Sequence, residues 1–289
     1  MKQNQKKGLA LLLGVCLIAG SLAGCGADGT SPSASGGGST QKLSVVGSTS
    51  VAPLAKELMN GYASVAPEIQ IDIQAVGSSA GVKATEDGSA DIGMASRELK
   101  SEESAAGVTA TEIAYDGIAV VVNPKNEVGN LSKNQIQQIF KGEITNWKEV
   151  GGKDAEIVVI SREEGSGTRT AFEEILKLEQ KQGDKTISAL SAEAQVADSN
   201  GSVKSGIASK ENAIGYLSLG IVDSTVKALS VDNVACSAQT VIDKTYAISR
   251  PLLMLTKGEA QGEAKKFLEY ILSDAGQTIV AKEFIPVSK

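Results

Sequence analysis

The sequence predicts an α/β fold, and three features of the chain lead to that prediction. From Lys42 onward, short β-like apolar runs alternate with segments of helical apolar spacing, as in α/β proteins with mainly parallel sheets. Turns rich in glycine and hydroxyl residues follow three of the runs. Two long apolar stretches, Tyr115–Asn123 and Tyr246–Thr256, exceed the length that one edge strand needs.

The elements follow in order along the chain. The predicted strands are Leu43–Val46, Ile69–Val76, Asp91–Ala95, Ile118–Val122, Ile157–Ile160, Ala213–Leu217 and Ala247–Leu255. Helical spacing relates Val51, Leu54, Leu58 and Tyr62, then Ile136, Ile139 and Phe140, and later Phe267, Leu268, Ile271 and Leu272. Ligands of such sheets collect at the carboxyl ends of strands, where the three turns would lie.

The two long apolar stretches are interpreted as two crossings between domains. This predicts a discontinuous lobe I, residues 42–117 plus 250–289, with lobe II, residues 118–249, inserted between its parts. A single larger sheet with long strands is the alternative.

The N-terminus carries an export signal. Lysines 2, 6 and 7 precede an apolar run, Leu9–Ala19, that is too short for a stable membrane span. The small residues before Cys25 resemble the lipobox of bacterial lipoproteins, which predicts a signal peptide at 1–24 and lipidation of Cys25; a plain signal peptide with an incidental cysteine is the alternative. Residues 25–41, mostly Gly, Ser, Ala and Thr, are expected to form a flexible tether.

Composition excludes several functions. The chain has no histidine, and Cys236 would be the free thiol of the mature protein, so a transition-metal site is not expected. The formal charge of −6 becomes about −9 without the three signal lysines, which disfavours a nucleic-acid partner. An anionic ligand must therefore be held by local, directed donors rather than by the net field.

The segment Ala155–Leu178 has the chemistry for such a ligand. A predicted strand leads into Arg162-Glu-Glu-Gly-Ser-Gly-Thr and then into a helix, so backbone N–H groups, hydroxyls and a guanidinium meet at the positive end of a helix dipole. Gly47-Ser-Thr-Ser and Gly77-Ser-Ser-Ala-Gly repeat the pattern after other strands.

A different function is considered for the second of these turns. Gly77-Ser-Ser-Ala-Gly satisfies G-x-S-x-G between a strand and a helix, the context of a hydrolase nucleophile, here Ser79. Without histidine the usual triad cannot form, and only a dyad of Ser79 with Lys83 remains open. No Walker lysine follows any glycine turn, so a P-loop is not supported. Binding is favoured over catalysis.

The combined motifs carry a family resemblance that extends from Lys42 to Lys289. The segments are Gly47-Ser-Thr-Ser-Val-Ala-Pro, Gly77-Ser-Ser-Ala-Gly-Val-Lys, Ala90-Asp-Ile-Gly-Met-Ala-Ser-Arg, Ile144-Thr-Asn-Trp and Arg162-x-x-Gly-Ser-Gly-Thr. In order and spacing they resemble the phosphate-binding proteins of bacterial phosphate ABC transporters. The resemblance implies a two-lobed periplasmic-binding-protein fold of type II with two crossings, which encloses inorganic phosphate and delivers it to an ABC permease. It implies no reaction and no cofactor.

Site roles are carried over by position from this resemblance. The implied phosphate-binding residues are Thr49, Ser50, Ser78, Arg97, Arg162, Ser166, Gly167 and Thr168. Glu164 stands where the family often has an acid that orients the arginine, or is an exposed first-turn carboxylate, while Arg169 is expected to be a solvated surface cation.

One position departs from the family. Arg97 stands where many relatives have an aspartate that accepts the proton of hydrogen phosphate, and an arginine cannot accept. Either Glu98 or another carboxylate takes this role, or sulfate is rejected less well.

The expected protein is a lipid-anchored monomer on the extracytoplasmic face of the cell membrane. Capture of sulfate or another tetrahedral oxyanion is the alternative within binding proteins.

Overall fold

The computed structural model describes residues 41–183 and 185–287. The predicted signal peptide at 1–24 and the lipidation site Cys25 lie outside the described residues, as does the predicted tether up to residue 40. The last residue assigned to that tether, Gln41, already begins a strand.

The described residues form an alternating α/β structure. The strands are β1 (Gln41–Gly47), β2 (Ile69–Ala75), β3 (Ile92–Ala95), β4 (Val108–Val122), β5 (Asn130–Leu131), β6 (Val158–Arg162), β7 (Glu179–Gln182), β8 (Lys185–Ser188), β9 (Gln195–Ala197), β10 (Ala213–Ser218), β11 (Lys227–Ala228), β12 (Ser230–Val231), β13 (Ser249–Lys257) and β14 (Ile285–Pro286). The helices are α1 (Ala52–Tyr62), α2 (Ser78–Asp87), α3 (Ser101–Ala105), α4 (Lys133–Lys141), α5 (Gly167–Leu176), α6 (Asn200–Ser209), α7 (Ala238–Ile242), α8 (Gly262–Leu272) and α9 (Asp274–Val280), with 3₁₀ turns at Trp147–Val150 and Leu219–Ile221.

The main sheet is mixed. Its strands follow the order β2-β1-β3-β13-β4-β10-β6-β9, with β11 and β14 also paired to β4. The pairs β1–β2, β1–β3, β6–β10 and β6–β9 are parallel. Strands β4 and β13 run antiparallel to each other, β4 is also antiparallel to β10, β11 and β14, and β13 is also antiparallel to β3. The expectation of mainly parallel sheets is therefore wrong at the centre, because the two long strands pass through the fold in opposite directions.

Strand β4 joins two parts of the structure. Its residues 108–117 pair with β13, and its residues 118–122 pair with β10. Buried apolar side chains of the described residues form four clusters, two drawn from residues 43–114 and 252–284 and two drawn from 118–248, with Ile285 added to the latter. Each side of the β4 crossing therefore has its own hydrophobic core, as two packed lobes require.

Local sequence explains how the helices around the cores begin and end. Ser132 and Gln135 form a capping box at the start of α4, and Gly142 ends that helix in the left-handed region, with φ of 76°. Phe140, Phe172 and Tyr216 pack against one another in the core, and the rings of Phe172 and Tyr216 stack with centroids 3.9 Å apart. The Tyr216 hydroxyl accepts the N–H of Arg162, so this aromatic cluster supports the end of β6.

Three further observations limit the chemistry. In the described part of the chain no helix has the length and apolar character needed to cross a membrane. No group of three or more metal-ligating side chains occurs among the same residues. Burial raises the pKa of the Cys236 thiol to about 12, so this cysteine is a packed thiol rather than a nucleophile.

Candidate functional site

The first glycine turn lies where strand β1 meets helix α1. Gly47 has φ of 145°, and a Cβ there would lie 2.2 Å from the carbonyl oxygen of Met94, so only glycine allows β1 to approach β3 this closely. The Ser48 hydroxyl accepts the N–H groups of Ser50 and Val51 at 3.1 and 3.4 Å. The turn thus holds Thr49 and Ser50 at the start of the helix.

The second turn reaches toward the third. Gly77, with φ of 99°, donates its N–H to the Gly47 carbonyl at 2.9 Å and places the buried Ser78 at the first position of α2. The N–H of Ser79 donates to the carbonyl of Gly165 at 3.1 Å. This contact joins the two turns directly.

The third turn begins helix α5. Ser166 is the N-cap and accepts the N–H of Arg169, so the first N–H groups of the helix, at Gly167 and Thr168, have no partner within the helix. A Cβ at Gly167 would lie 2.2 Å from the Ser78 hydroxyl. The sequence therefore brings a helix N-terminus, with its partial positive charge, onto the hydroxyl of the second turn.

Arg162, the last residue of β6, lies at the centre of these turns. It is only 1% exposed, its Nε and Nη2 donate to the Glu163 carboxylate at 2.8 Å each, and Nη2 also donates to the Thr49 hydroxyl at 3.2 Å. Its Nη1 is buried and, among the described residues, has no hydrogen-bond partner. A buried guanidinium with free N–H capacity is costly unless something else accepts from it.

The expected orienting acid is corrected by one position. Glu163, not Glu164, holds Arg162, and Glu164 is exposed. Strand β6 ends at Arg162 and the chain then turns, so the adjacent side chain folds back along the guanidinium while the second one faces solvent. Glu164 is exposed, as the alternative expected, but it precedes the N-cap Ser166 and therefore does not lie in the first turn of α5.

Hydroxyls from all three turns connect into one buried group. The Ser50 and Thr168 hydroxyl oxygens lie 2.9 Å apart, and the Ser78 hydroxyl lies 3.3 Å from that of Ser96. Ser48 donates to Ser96 at 2.9 Å. The structure thus brings together all the sequence-predicted residues of the three turns, although the first and third turns are more than a hundred positions apart.

Three residues with amide or charged side chains belong to this group and were not predicted from the sequence. Asn200, at the start of α6, donates to the hydroxyls of Thr49 and Ser50 at 3.1 and 2.9 Å. Arg250 of β13 donates to the hydroxyls of Ser50 and Ser96 and is itself held by Asp116 of β4. For Asp116 and Arg250 a signal existed, because a charged residue inside an otherwise apolar buried strand requires a partner.

Arg97 and Arg169 are both buried or nearly so, and both have carboxylate partners. The Arg97 guanidinium donates to both carboxylate oxygens of Glu103, at 2.8 and 2.7 Å, and to the Glu98 carbonyl, so these hydrogen bonds do not join it to the hydroxyl group. Arg169 is not the solvated cation expected: its side chain is 11% exposed, pairs with Glu173 and donates to the carbonyl of Arg162.

The hydrolase alternative gains no geometric support. Ser79 is exposed on α2, and Lys83, the only base considered for it, places its Nζ 3.4 Å from the Glu86 carboxylate. A nucleophile needs a base within hydrogen-bond reach, and no hydrogen bond between Ser79 and Lys83 occurs among the described contacts.

The fold and this cluster of donors define the class of the protein. Two α/β lobes joined by crossing strands, with turns and helix N-termini meeting around a buried guanidinium, are those of a two-lobed solute-binding protein. Residues 31–275 match the family model of the PBP superfamily domain.

Named relatives narrow this class. The chain is 34% identical to the phosphate-binding protein PstS of Bacillus subtilis, over 100% of this chain and 96% of the relative. It is 45% identical to a phosphate ABC transporter substrate-binding protein from Clostridium perfringens, solved with bound phosphate, with a TM-score of 0.81 over 86% of this chain and 100% of the other. An ABC-type phosphate transport receptor from Vibrio cholerae is 35% identical, with a TM-score of 0.71 over 85% and 100%. The chain therefore belongs to the PBP superfamily and, within it, to the family of the phosphate-binding proteins PstS.

Proposed function

We propose that this protein binds inorganic phosphate between its two lobes and delivers it to an ABC permease. The observation that carries the proposal is the Arg162 guanidinium, 1% exposed and with Nη1 unpartnered among the described residues, at the meeting point of three hydroxyl turns. A tetrahedral oxyanion supplies the acceptors that such a guanidinium lacks, through charge-assisted hydrogen bonds. The family relation supports phosphate as that oxyanion.

The proposed ligands come from the three turns. They are the hydroxyls of Thr49, Ser50, Ser78 and Thr168, the guanidinium of Arg162, and the α5 N-terminus at Ser166, Gly167 and Thr168. Glu163 fixes the guanidinium through two hydrogen bonds and leaves its remaining N–H groups for the ligand. Arg97 is left out of this set because its Nη1 and Nη2 already donate to Glu103, although its Nε is buried and has no partner among the described residues.

Capture by short-range donors fits the charge of the chain. The formal charge is −6, so the overall field repels an anion and cannot supply the affinity. Burial of the site supplies the affinity, because a hydrogen bond to a charged group is stronger where water is excluded. The lobes that exclude water are proposed as residues 42–117 with 250–289, and residues 118–249.

Calorimetric titration of the mature protein with phosphate, sulfate and arsenate tests the proposal. Phosphate should bind with one site per chain, and the affinity for sulfate, which carries no proton at neutral pH, shows whether a group at the site accepts one. Binding of sulfate in preference to phosphate would make the protein a receptor for another tetrahedral oxyanion. No heat with any of the three anions would contradict the oxyanion site altogether.

A lipid anchor at Cys25 is proposed to hold the protein on the extracytoplasmic face of the membrane as a monomer. Cys25→Ser should move the protein from the membrane to the soluble fraction without changing its dissociation constant for phosphate, because the tether separates the anchor from the folded part. The multiple acyl chains of a bacterial lipoprotein anchor stably, whereas one chain binds only marginally. Membrane retention of the serine variant would require another attachment.

A further inference from the structure

A second buried ion pair lies beside the site, in the two strands that cross between the lobes. Asp116 of β4 and Arg250 of β13 are register partners and are 0% and 3% exposed. The Asp116 Oδ2 accepts from Nε and Nη2 of Arg250 at 3.2 and 2.9 Å, and Oδ1 accepts the N–H of Leu219 at 3.1 Å. Burial raises the pKa of the Asp116 carboxyl, and the guanidinium opposes this shift.

Arg250 differs from Arg162 in having no spare donor direction. Besides its bonds to Asp116, Nη1 donates to the carbonyl and the hydroxyl of Ser96 at 3.1 and 3.3 Å, and Nη2 donates to the Ser50 hydroxyl at 3.0 Å. Every nitrogen of the guanidinium is thus engaged. An arginine donates and never accepts, so each hydroxyl that it contacts must accept from it.

The contact with Arg250 determines the direction in which the Ser50 hydroxyl donates its proton. A serine hydroxyl accepts two hydrogen bonds and donates one. The Ser50 oxygen accepts from Arg250 Nη2 and from Asn200 Nδ2, so its proton points to the Thr168 hydroxyl, 2.9 Å away. Thr168 accepts that proton and keeps its own to donate elsewhere.

The hydroxyl protons of Ser96 and Ser78 also have fixed directions. The Ser96 oxygen accepts from Ser48 and from Arg250 Nη1, so its proton points to the Ser78 hydroxyl, 3.3 Å away. The Ser78 oxygen also accepts the backbone N–H of Ser96 at 3.1 Å. Both of its acceptor positions are then filled, and its own proton is available to a ligand.

We propose that Arg250, fixed by Asp116, is a positioning residue that orients two hydroxyl chains, Ser50 to Thr168 and Ser96 to Ser78, so that each ends on a donor facing the bound phosphate. This rests on the proposed function. The hydroxyl cluster then only donates, and it favours the phosphate form with fewer protons, since a ligand O–H meets other donors.

Charged groups lie around the cluster on several elements. They are Arg162 and Glu163 at the end of β6, Arg169 on α5, Asp198 before α6, Asp116 on β4, Arg250 on β13, and Arg97 after β3 with its partner Glu103 on α3. The two carboxylates that hold Arg162 and Arg250 are already accepting, Glu163 from Arg162 and Asp116 from Arg250.

A charge-neutral exchange tests the role of the pair. In Asp116→Asn/Arg250→Gln, one positive and one negative charge are removed together, so no buried charge is left unpaired and the net charge is unchanged. Ser50 and Ser96 each lose the donor that filled one acceptor position, so the hydrogen bonds in both hydroxyl chains can reverse direction. The control is Lys204→Gln/Asp223→Asn, which removes a partly exposed ion pair whose hydrogen bonds do not reach the cluster.

Phosphate affinity is measured by calorimetry at about pH 6 and about pH 8, on either side of the second ionisation of phosphate. For the wild type and the control, affinity should rise with pH by about fivefold to tenfold as the dianion replaces the monoanion. For Asp116→Asn/Arg250→Gln, affinity at pH 8 should fall at least about tenfold, and the ratio between the two pH values should approach one.

Two results would overturn the positioning role: an unchanged dissociation constant and pH ratio in the double variant, or no pH dependence in the wild type. If the double variant does not fold, Ser96→Ala serves instead, because it frees one acceptor position on Ser78 while the ion pair stays intact. It should lower the pH ratio, and a ratio equal to that of the wild type contradicts the relay. Absence of phosphate binding by the wild type would instead overturn the proposed function.

Discussion

Arg162 and Arg250 are both buried, both paired with a carboxylate, and both in contact with hydroxyls of the first turn, yet the structure uses them differently. Arg162 lies at the end of a strand and leaves Nη1 without a partner among the described residues. Arg250 lies inside a strand, and each of its nitrogens donates to a protein atom. The two arginines differ in how many donors remain, not in burial or charge.

Because of this difference, Arg162 can bind a ligand, whereas Arg250 arranges the groups that bind it. A guanidinium offers five N–H donors, and those not used within the protein are the ones a ligand can occupy. The saturated arginine acts through the hydroxyls it contacts. Counting donors and acceptors at a buried site therefore distinguishes two roles that sequence patterns and burial do not.

The largest expected effect is at Arg162. Arg162→Ala should weaken phosphate binding by about 2–5 kcal/mol, because the anion loses its strongest charge-assisted partner. Calorimetry measures the loss, and thermal unfolding without phosphate should change far less. An unaltered dissociation constant would remove Arg162 from the site and end the contrast with Arg250.

A smaller loss is expected at the end of one hydroxyl chain. Thr168→Val keeps the shape of the side chain but removes the donor, which should cost about 1.5–3 kcal/mol of phosphate affinity, as for a hydrogen bond to a charged group.

The matched control for Thr168→Val is Thr85→Val. Thr85 is equally buried, but its hydroxyl donates to the Gly81 carbonyl within α2. Its variant should alter stability rather than affinity. Equal affinity losses in both variants would mean that any buried hydroxyl matters and that the hydroxyl chains have no special direction.

The third buried arginine, Arg97, is expected to affect how the stability of the fold depends on pH. The pKa of Glu103 is lowered: burial acts to raise it, but hydrogen bonds from Arg97 and the Lys100 N–H outweigh burial. A carboxyl with a lowered pKa stabilises the fold above its ordinary value of 4.5 and loses that contribution as the pH falls through the folded value. The free energy of unfolding should therefore fall below about pH 4.5, and less steeply in Glu103→Gln. Identical slopes in urea titrations would show that Arg97 serves some other group.

The parts of the site that sequence predicts well are its local ones. A strand, a glycine turn and a helix start occupy about ten consecutive residues, so Gly47–Ser50 and Arg162–Thr168 show their donors directly. The strands and helices around them follow from apolar spacing in the same way.

The parts that the sequence did not predict depend on pairing between distant segments. Asp116 and Arg250 meet only because β4 and β13 align antiparallel across 134 positions. Asn200 reaches the first turn from 150 residues away. Glu163 rather than Glu164 holds Arg162 because of the direction in which the chain leaves β6, which side-chain alternation along a regular strand does not give.

The close approach of the second and third turns has a consequence for the distance between the two helix starts. A single methyl group at Gly167 would lie 2.2 Å from the hydroxyl oxygen of Ser78 and 2.9 Å from that of Ser96, well inside van der Waals contact. Even an alanine side chain at this position would thus force the starts of helix α5 and helix α2 apart. The spacing between the two helix starts, and with it the size of anion they can both reach, is set by the absence of one carbon atom.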